Sequence, residues 1–471
     1  MRPKLTEAMG KTTQMRHAYT QLNLPSPVFE SAENDVRDSK PGANRRANRL
    51  DPRDRALHDW YRFVLSFPPH LVRDYIKNFG LAAGNTVCDP FCGTGTTLVE
   101  SRLQGMNAIG VEANPFAQFA SSVKLDWGID PTSLLDMANA IASKTLRVLE
   151  SQGIDDNQPF PGSIDSLVLR TLDSEPARLL LADSISPLPL HKTLVLLDCA
   201  REHSGARCYR HMLLALANAL VFTISNLHFG PEVGVRDPKD DVPVVTSWLA
   251  EVKKIASDLG TVAGRQYLEG TVYLADARNI SSVLPPGSVD AVITSPPYPN
   301  EKDYTRTTRL ESVILGFIRS KSELRGFKKT LVRSNTRSVY KEDDDDRFIA
   351  EHAEIQRIAD AIERRRIELG KDSGFERMYH KVTKLYFGGM ARHLSDLRGV
   401  LRPGARLAYV VGDQASYLRV MIRTGQLLAE IAQALGYELI RIDLFRTRLA
   451  TATREQLREE VVVLRWPGQK G

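Results

Sequence analysis

Apolar positions along the chain change period several times. Short apolar runs bounded by Gly, Pro or a carboxylate read as strands, and runs with apolar residues three and four apart read as helices. The strand-like runs are 86–89, 108–112, 271–276, 291–294, 406–411, 437–448 and 459–465. Helical spacing covers 71–79 with Gly80 at its end, a segment from Thr96 or Thr97 to Gly105, 134–149, the apolar run 211–227, 248–259 and 424–435. Leu401-Arg-Pro-Gly404 reads as a turn, and about ten polar residues join the last two strands in a hairpin-like end.

Strands alternating with helices predict an α/β fold with an open sheet and helices on both faces. Two segments interrupt that rhythm. Residues 125–268 are dominated by amphipathic helices and read as a helical insertion. Residues 300–378 read as a charged helical insertion, in which Arg319 to Arg337 hold seven Lys or Arg and one Glu. The sheet domain is then split into 56–124, 269–299 and 379–471. Residues 1–55 are polar and read as a flexible arm ending in Arg45, Arg46, Arg49, Arg53 and Arg55, a solvated tail ahead of a phosphate-contacting one.

Composition narrows the class. The chain has 471 residues, 42% hydrophobic and 25% charged, enough for a sizeable core. Its apolar runs are too short for a membrane span and its start lacks a signal-peptide pattern, so the expected location is cytoplasmic. Four cysteines, Cys88, Cys92, Cys199 and Cys208, form neither a disulfide framework nor zinc spacing, and no metal site is expected. The net charge of +6 suits a polyanionic partner.

Two stretches carry chemistry. In Asp290-Ala-Val-Ile-Thr-Ser-Pro-Pro-Tyr298, a buried strand meets two prolines that lack an N–H and fix φ, so the chain leaves the sheet in a rigid corner. That corner presents a hydroxyl, a free carbonyl and an aromatic ring, which suits gripping a planar polar group. In Thr86-Val-Cys-Asp-Pro-Phe-Cys-Gly-Thr-Gly-Thr-Thr-Leu-Val-Glu100, a strand runs through a glycine loop into a helix, a unit that brings a ligand to backbone and helix N-terminus. Leu98 stands where a dinucleotide fingerprint needs its third glycine. Asp89 suits a ligand with a positive amino group better than a pyrophosphate. Glu112, ending the next strand, is placed for ribose hydroxyls. Asp276 adds a third strand-end carboxylate on the same edge.

The two stretches together resemble the S-adenosylmethionine-dependent DNA amino-methyltransferases of the cytosine-N4 and adenine-N6 type. Asp89 to Thr97 looks like that family's methionine-binding motif, and Thr294 to Tyr298 like its catalytic motif. The resemblance implies a Rossmann-like class I methyltransferase sheet with an antiparallel strand near the C-terminal end and two largely helical insertions. It also implies that Asp89, Pro90, Phe91, Gly93, Gly95 and Thr96 hold the methionine part of S-adenosylmethionine, Glu112 the ribose, and Asp276 with Ala277 the adenine. Pro68 to Leu71 lies where the family completes this pocket. Ser295 and the Pro296 carbonyl would accept hydrogen bonds from the target amino group, Pro297 would stiffen the corner, and Tyr298 would stack on a flipped base.

Serine as first motif residue goes more often with cytosine N4, which is favoured over adenine N6. The expected partner is DNA, double-stranded, with a cognate restriction endonuclease as a further candidate; oligomeric state is left open. Residues 125–268 are the candidate target-recognition domain. Arg325, Lys328, Lys329, Arg333 and Arg337 are candidates for DNA contacts. Two other readings stay open: an RNA methyltransferase acting on guanosine N2 in transfer RNA, and a non-catalytic nucleic-acid-binding protein on the same fold.

Overall fold

The computed structural model describes residues 51–62, 66–229, 233–300, 302–449 and 456–468. We number the strands of the main sheet and the longer helices in chain order. They are α1 (Pro69–Asn78), β1 (Thr86–Asp89), α2 (Thr96–Leu103), β2 (Asn107–Glu112), α3 (Pro115–Lys124), α4 (Pro131–Glu150), α5 (Pro187–Arg201), α6 (Tyr209–Ala219), α7 (Val244–Val262), β3 (Gly270–Leu274), β4 (Val289–Thr294), α8 (Lys321–Lys329), α9 (Ala353–Glu368), α10 (Tyr379–Leu397), β5 (Leu401–Gly412), α11 (Thr424–Ala434), β6 (Glu438–Leu449) and β7 (Gln456–Arg465).

The sheet order is β3-β2-β1-β4-β5-β7-β6. β1 to β5 pair in parallel, and β7 runs antiparallel to both β5 and β6. This is a Rossmann-like, mostly parallel sheet that ends in antiparallel strands, as the resemblance implies. The order reverses between β1 and β4. Loops leaving those two neighbours therefore diverge and open a crevice at their carboxyl ends, where open α/β sheets bind ligands.

Period-two alternation assigns each strand residue to a face. Val87, Ala291, Ile293, Ala408 and Val410 point to α1, which buries Leu71, Val72, Tyr75 and Ile76 against them. Cys88, Val292, Leu407, Tyr409 and Val411 point the other way, into a core shared with α9, α10 and α11. Both faces of the central strands are buried, so their sequences are nearly all apolar. Residues 131–262 are largely helical, and their apolar faces share one core with Leu98 and Val99 of α2 and Phe116 and Ala120 of α3.

Two elements differ from the sequence reading. The segment 401–404 belongs to β5: Gly404 at φ +87 donates its N–H to Trp466 O, and the pairing with β4 slips between Leu401 and Arg406. The turn chemistry is real, but neighbouring strands hold it as an excursion within the strand. The last two strands also approach more closely than expected, ending at Leu449 and resuming at Gln456. Of the N-terminal arm, Arg45, Arg46 and Arg49 lie outside the described residues; Arg53 pairs with Asp51 and Arg55 with Asp59.

No helix among the described residues is long and apolar enough to cross a membrane. All four cysteines are buried and unpaired.

One close approach ties the segment before α9 to α10. A Cβ on Gly388 would run into the Asp345 carbonyl. Gly388→Ala is expected to lower stability by about 1–3 kcal/mol, since neither packed backbone can yield cheaply. Thermal unfolding of the variant beside the parent measures this.

Candidate active site

The site is built at the β1/β4 crevice, and its first component is a buried carboxylate. Asp89, at the end of β1, is 1% exposed. Its Oδ1 accepts from Thr294 Oγ1 at 2.6 Å and from Phe91 N at 3.1 Å. One oxygen thus joins the glycine loop to the tip of β4. Thr97 Oγ1 adds a second tie, donating to Ile293 O at 3.1 Å. Burial raises the Asp89 carboxyl to about 6, against the hydrogen bonds that lower it.

The loop after Asp89 turns on Gly93 and Gly95, with φ of 50° and 84°. A Cβ at Gly95 would stand 2.9 Å from Ser121 Cβ and 3.3 Å from Ser121 Cα, so the loop lies against α3 only as glycine. From α3, buried Lys124 donates to Thr94 O at 2.8 Å and to Tyr61 O at 3.2 Å. Burial lowers this ammonium to about 7.

Glu112 ends β2. Its Oε2 accepts from Gly93 N at 2.8 Å and its Oε1 from Asn114 N at 2.7 Å. Each oxygen retains a further acceptor position. Burial without a cationic partner raises the carboxyl to about 7.

Asp276 lies beyond β3, which stops at Leu274 rather than at 276, and it caps a 3-10 turn over Ala277–Ser282. Its carboxylate is held by the Arg278 guanidinium, which also reaches Asp345. Ala277 O accepts from His393 Nδ1 at 2.8 Å. Because a carbonyl only accepts, the His393 proton sits on Nδ1, and Nε2 accepts from Tyr409 O–H at 2.7 Å. Burial lowers His393 to about 4, so it stays neutral. Its ring meets Phe91 edge-on with centroids 4.9 Å apart.

At the end of β4, Ser295 Oγ donates to Val410 O at 3.1 Å and lies 3.5 Å from the Tyr298 hydroxyl. Tyr298 N donates to Tyr304 Oη at 3.3 Å.

One cavity of 510 Å³ joins these parts. Pro90, Phe91, Gly93, Thr96, Glu112, Asp276, Ala277, Ser295, Pro296, Pro297 and Tyr298 all line it. Asp89 and Gly95 stand behind its wall and shape the loop rather than the surface. The sequence reading missed His393 and Lys124, which brace the loop from behind. Both sit in helices of otherwise core-like pattern, and no local signal separates them from packing residues. It also missed Phe222, half exposed on the rim in a π-helical turn over Leu220–Ile224.

The basic segment 319–337 is only partly a surface. Arg333 is 2% exposed, forms a two-pronged pair with Asp343, and donates to the carbonyls of Lys328 and Lys329. Its expected phosphate contact is thereby corrected: this side chain is an internal brace. Lys328 is largely buried against Asp303. Arg325, Lys329 and Arg337 remain exposed, Arg325 over the Tyr340 ring and Arg337 over the Phe375 ring.

A family model described as DNA methylase matches residues 27–120. The type II methyltransferase M.BsoBI of Geobacillus stearothermophilus is 25% identical over 447 residues, covering 88% of this chain and 85% of that protein. M.AvaI of a Nostoc species is 23% identical over 454 residues, covering 89% and 88%. M.MjaII of Methanocaldococcus jannaschii is 33% identical over 119 residues, 25% of this chain and 21% of that one.

Sheet order and crevice are compatible with the methyltransferases that the sequence matches. Over most of its length the chain is similar to type II methyltransferases, and its residues 27–120 match the DNA methylase model; that likeness implies S-adenosylmethionine as the methyl donor. The cavity fits that donor in its chemistry: Glu112 is a half-buried carboxylate acceptor on its wall, and the glycine loop brings backbone at Gly93 to the same wall.

The raised Glu112 carboxyl gives a signed prediction. A carboxyl at about 7 in the fold, above its ordinary 4.5, contributes stability below pH 4.5 that is lost as pH rises through 7. Relative to Glu112→Gln, the ligand-free parent should therefore melt at progressively lower temperature between pH 5 and pH 8. A constant offset across that range would contradict the assignment.

Proposed function

We propose that this enzyme methylates the exocyclic amino group of a base flipped out of duplex DNA, with cytosine N4 as the target rather than adenine N6. The observation that carries the reading is the hydrogen bond from Ser295 Oγ to Val410 O. The serine proton is committed away from the corner, so its lone pairs are left to accept. Ser295 Oγ and the Pro296 carbonyl then serve as two fixed acceptors for an amino group.

An exocyclic amine is a poor nucleophile because its lone pair is delocalised into the ring. Two acceptors off the ring plane favour a pyramidal nitrogen whose lone pair is free. The acceptors stand ready before the substrate arrives, so orientation supplies much of the catalysis. The amine gains a methyl group and releases one proton to solvent. Tyr298 offers its face to the flipped base, and the two prolines keep the corner from relaxing.

S-adenosylmethionine supplies a methyl group already activated on a sulfonium. Phe91, Gly93 and Thr96 would hold its methionine part, Glu112 its ribose, and Asp276 with Ala277 its adenine, while Asp89 sets the loop from behind. Thiolate attack on cytosine is disfavoured, because burial pushes the Cys92 thiol far up.

Serine at the first motif position supports cytosine N4. The helical segment 125–268 is the proposed reader of the target sequence, with Arg325, Lys329 and Arg337 on the phosphates. A cognate restriction endonuclease fits the type II relatives.

Nucleoside mass spectrometry of DNA from cells expressing the enzyme should show N4-methylcytosine. N6-methyladenine instead would replace the base assignment, and labelled methyl on transfer RNA alone would sink the DNA reading. Ser295→Ala should lower kcat by about 100-fold or more, the usual cost of one preorganised polar contact, with cofactor affinity within about twofold by calorimetry. Neutralising Arg325 and Arg337 together should weaken DNA binding and flatten its salt dependence by about one charge each. Arg333→Gln should instead lower the melting temperature. These contrasts are read by fluorescence anisotropy across a salt series and by thermal unfolding.

A further inference from the structure

Beyond the corner itself, the far wall of the cavity carries a pair that no motif marks. Gly412 ends β5, Glu459 lies opposite it on β7, and Arg446 lies opposite Glu459 on β6. The three form one row across the sheet at the mouth of the cavity, and Glu459 and Arg446 line it. Gly412 lets the row meet the corner. A Cβ there would stand 3.2 Å from Tyr298 Cε2 and 3.3 Å from Glu459 Cγ. Glu459 grips Arg446 with both oxygens, at 2.5 Å to Nε and 2.9 Å to Nη2. The pair is mostly buried, with side chains 22% and 9% exposed for Arg446 and Glu459.

A guanidinium has five N–H donors. Two are taken by Glu459, and the other three have no hydrogen-bond partner among the described residues. They are held in a fixed plane, in the same cavity as Ser295 and Pro296. The carboxylate cancels the charge, so the fork attracts a phosphate weakly. It remains a rigid donor for a neutral acceptor edge.

We propose that Arg446, positioned by Glu459, is the specificity-determining residue that reads the ring edge of the flipped base and selects cytosine. The proposal rests on the amino-group reading above. Beside its amino group, cytosine presents two acceptors in succession, N3 and then O2. Adenine presents N1 and then a carbon-bound hydrogen. Two adjacent guanidinium donors match the first edge and leave one donor unpaired on the second, which is costly in a desolvated pocket.

The test uses the full-length enzyme after the methylated position has been mapped with the parent. Duplexes carry cytosine or 2-thiocytosine there; the sulfur keeps the amino group but accepts hydrogen bonds poorly. The parent should prefer cytosine. Arg446→Ala should lose about 10–100-fold in kcat/KM on cytosine, the range of one bidentate base contact. The loss should fall on KM, cofactor affinity should not change, and the preference between the two bases should collapse. Arg446→Lys keeps the charge and the aliphatic stem without the fork, and it should show the same collapse even if the alanine variant folds poorly. Glu459→Gln should reduce the preference partway, a change that altered folding alone would not produce. Variants that keep the parent's preference overturn the proposal while the methyltransferase reading stands. Methylation of adenine by the parent overturns it as well. A parent that transfers no methyl to DNA fails the underlying reading.

Discussion

The site depends on one buried carboxylate. Asp89 Oδ1 receives the Thr294 hydroxyl and the Phe91 amide together. Those donors belong to the two loops that diverge at the β1/β4 switch. Without this junction, each loop would find its own position on a separate strand end. With it, the glycine loop and the Ser-Pro-Pro-Tyr corner are set relative to each other by one short span. A donor and an acceptor of a methyl group must meet at bonding distance, so a common reference point matters more here than any single contact. Asp89 is kept out of water to do this, and its raised carboxyl reflects that burial.

The surrounding charges follow the same economy of position. Lys124, Arg278, Arg333 and His393 are each buried, and each ends on a backbone carbonyl or a carboxylate that belongs to a loop of the cavity. Buried ions contribute little net stability because desolvation offsets their attraction. Their hydrogen bonds do fix loop geometry: the cations hold Thr94, Asp276 and the carbonyls of Lys328, Lys329 and Leu331, and neutral His393 holds Ala277. The cavity wall is irregular backbone braced from behind by cations and one neutral imidazole.

The helical segment bears on how the enzyme is assembled. Its apolar faces merge with those of α2 and α3 into one core, so it is anchored to the helices that carry the cofactor loop. It also sends Phe222 and Phe229 to the rim of the cavity.

The amino-acid sequence by itself determined the class. Seven strand patterns, a glycine loop with Asp89 ahead of it and a proline corner after β4 are local features, and local rules of φ, donor loss and period two suffice to read them. Glu112 was legible because a carboxylate at a strand end is a short-range pattern. The tertiary structure decided what depends on distant residues meeting. Asp89 turned out to face Thr294, 205 positions away, and not the cavity. Arg333 turned inward because Asp343 and three carbonyls were there to receive it, although its sequence neighbourhood matches that of exposed Arg325. The row Gly412, Glu459 and Arg446 exists only through the antiparallel register of β7, which no local pattern encodes. Strand and loop identity come from short-range sterics. The direction a charged side chain takes comes from which partners the fold brings within reach.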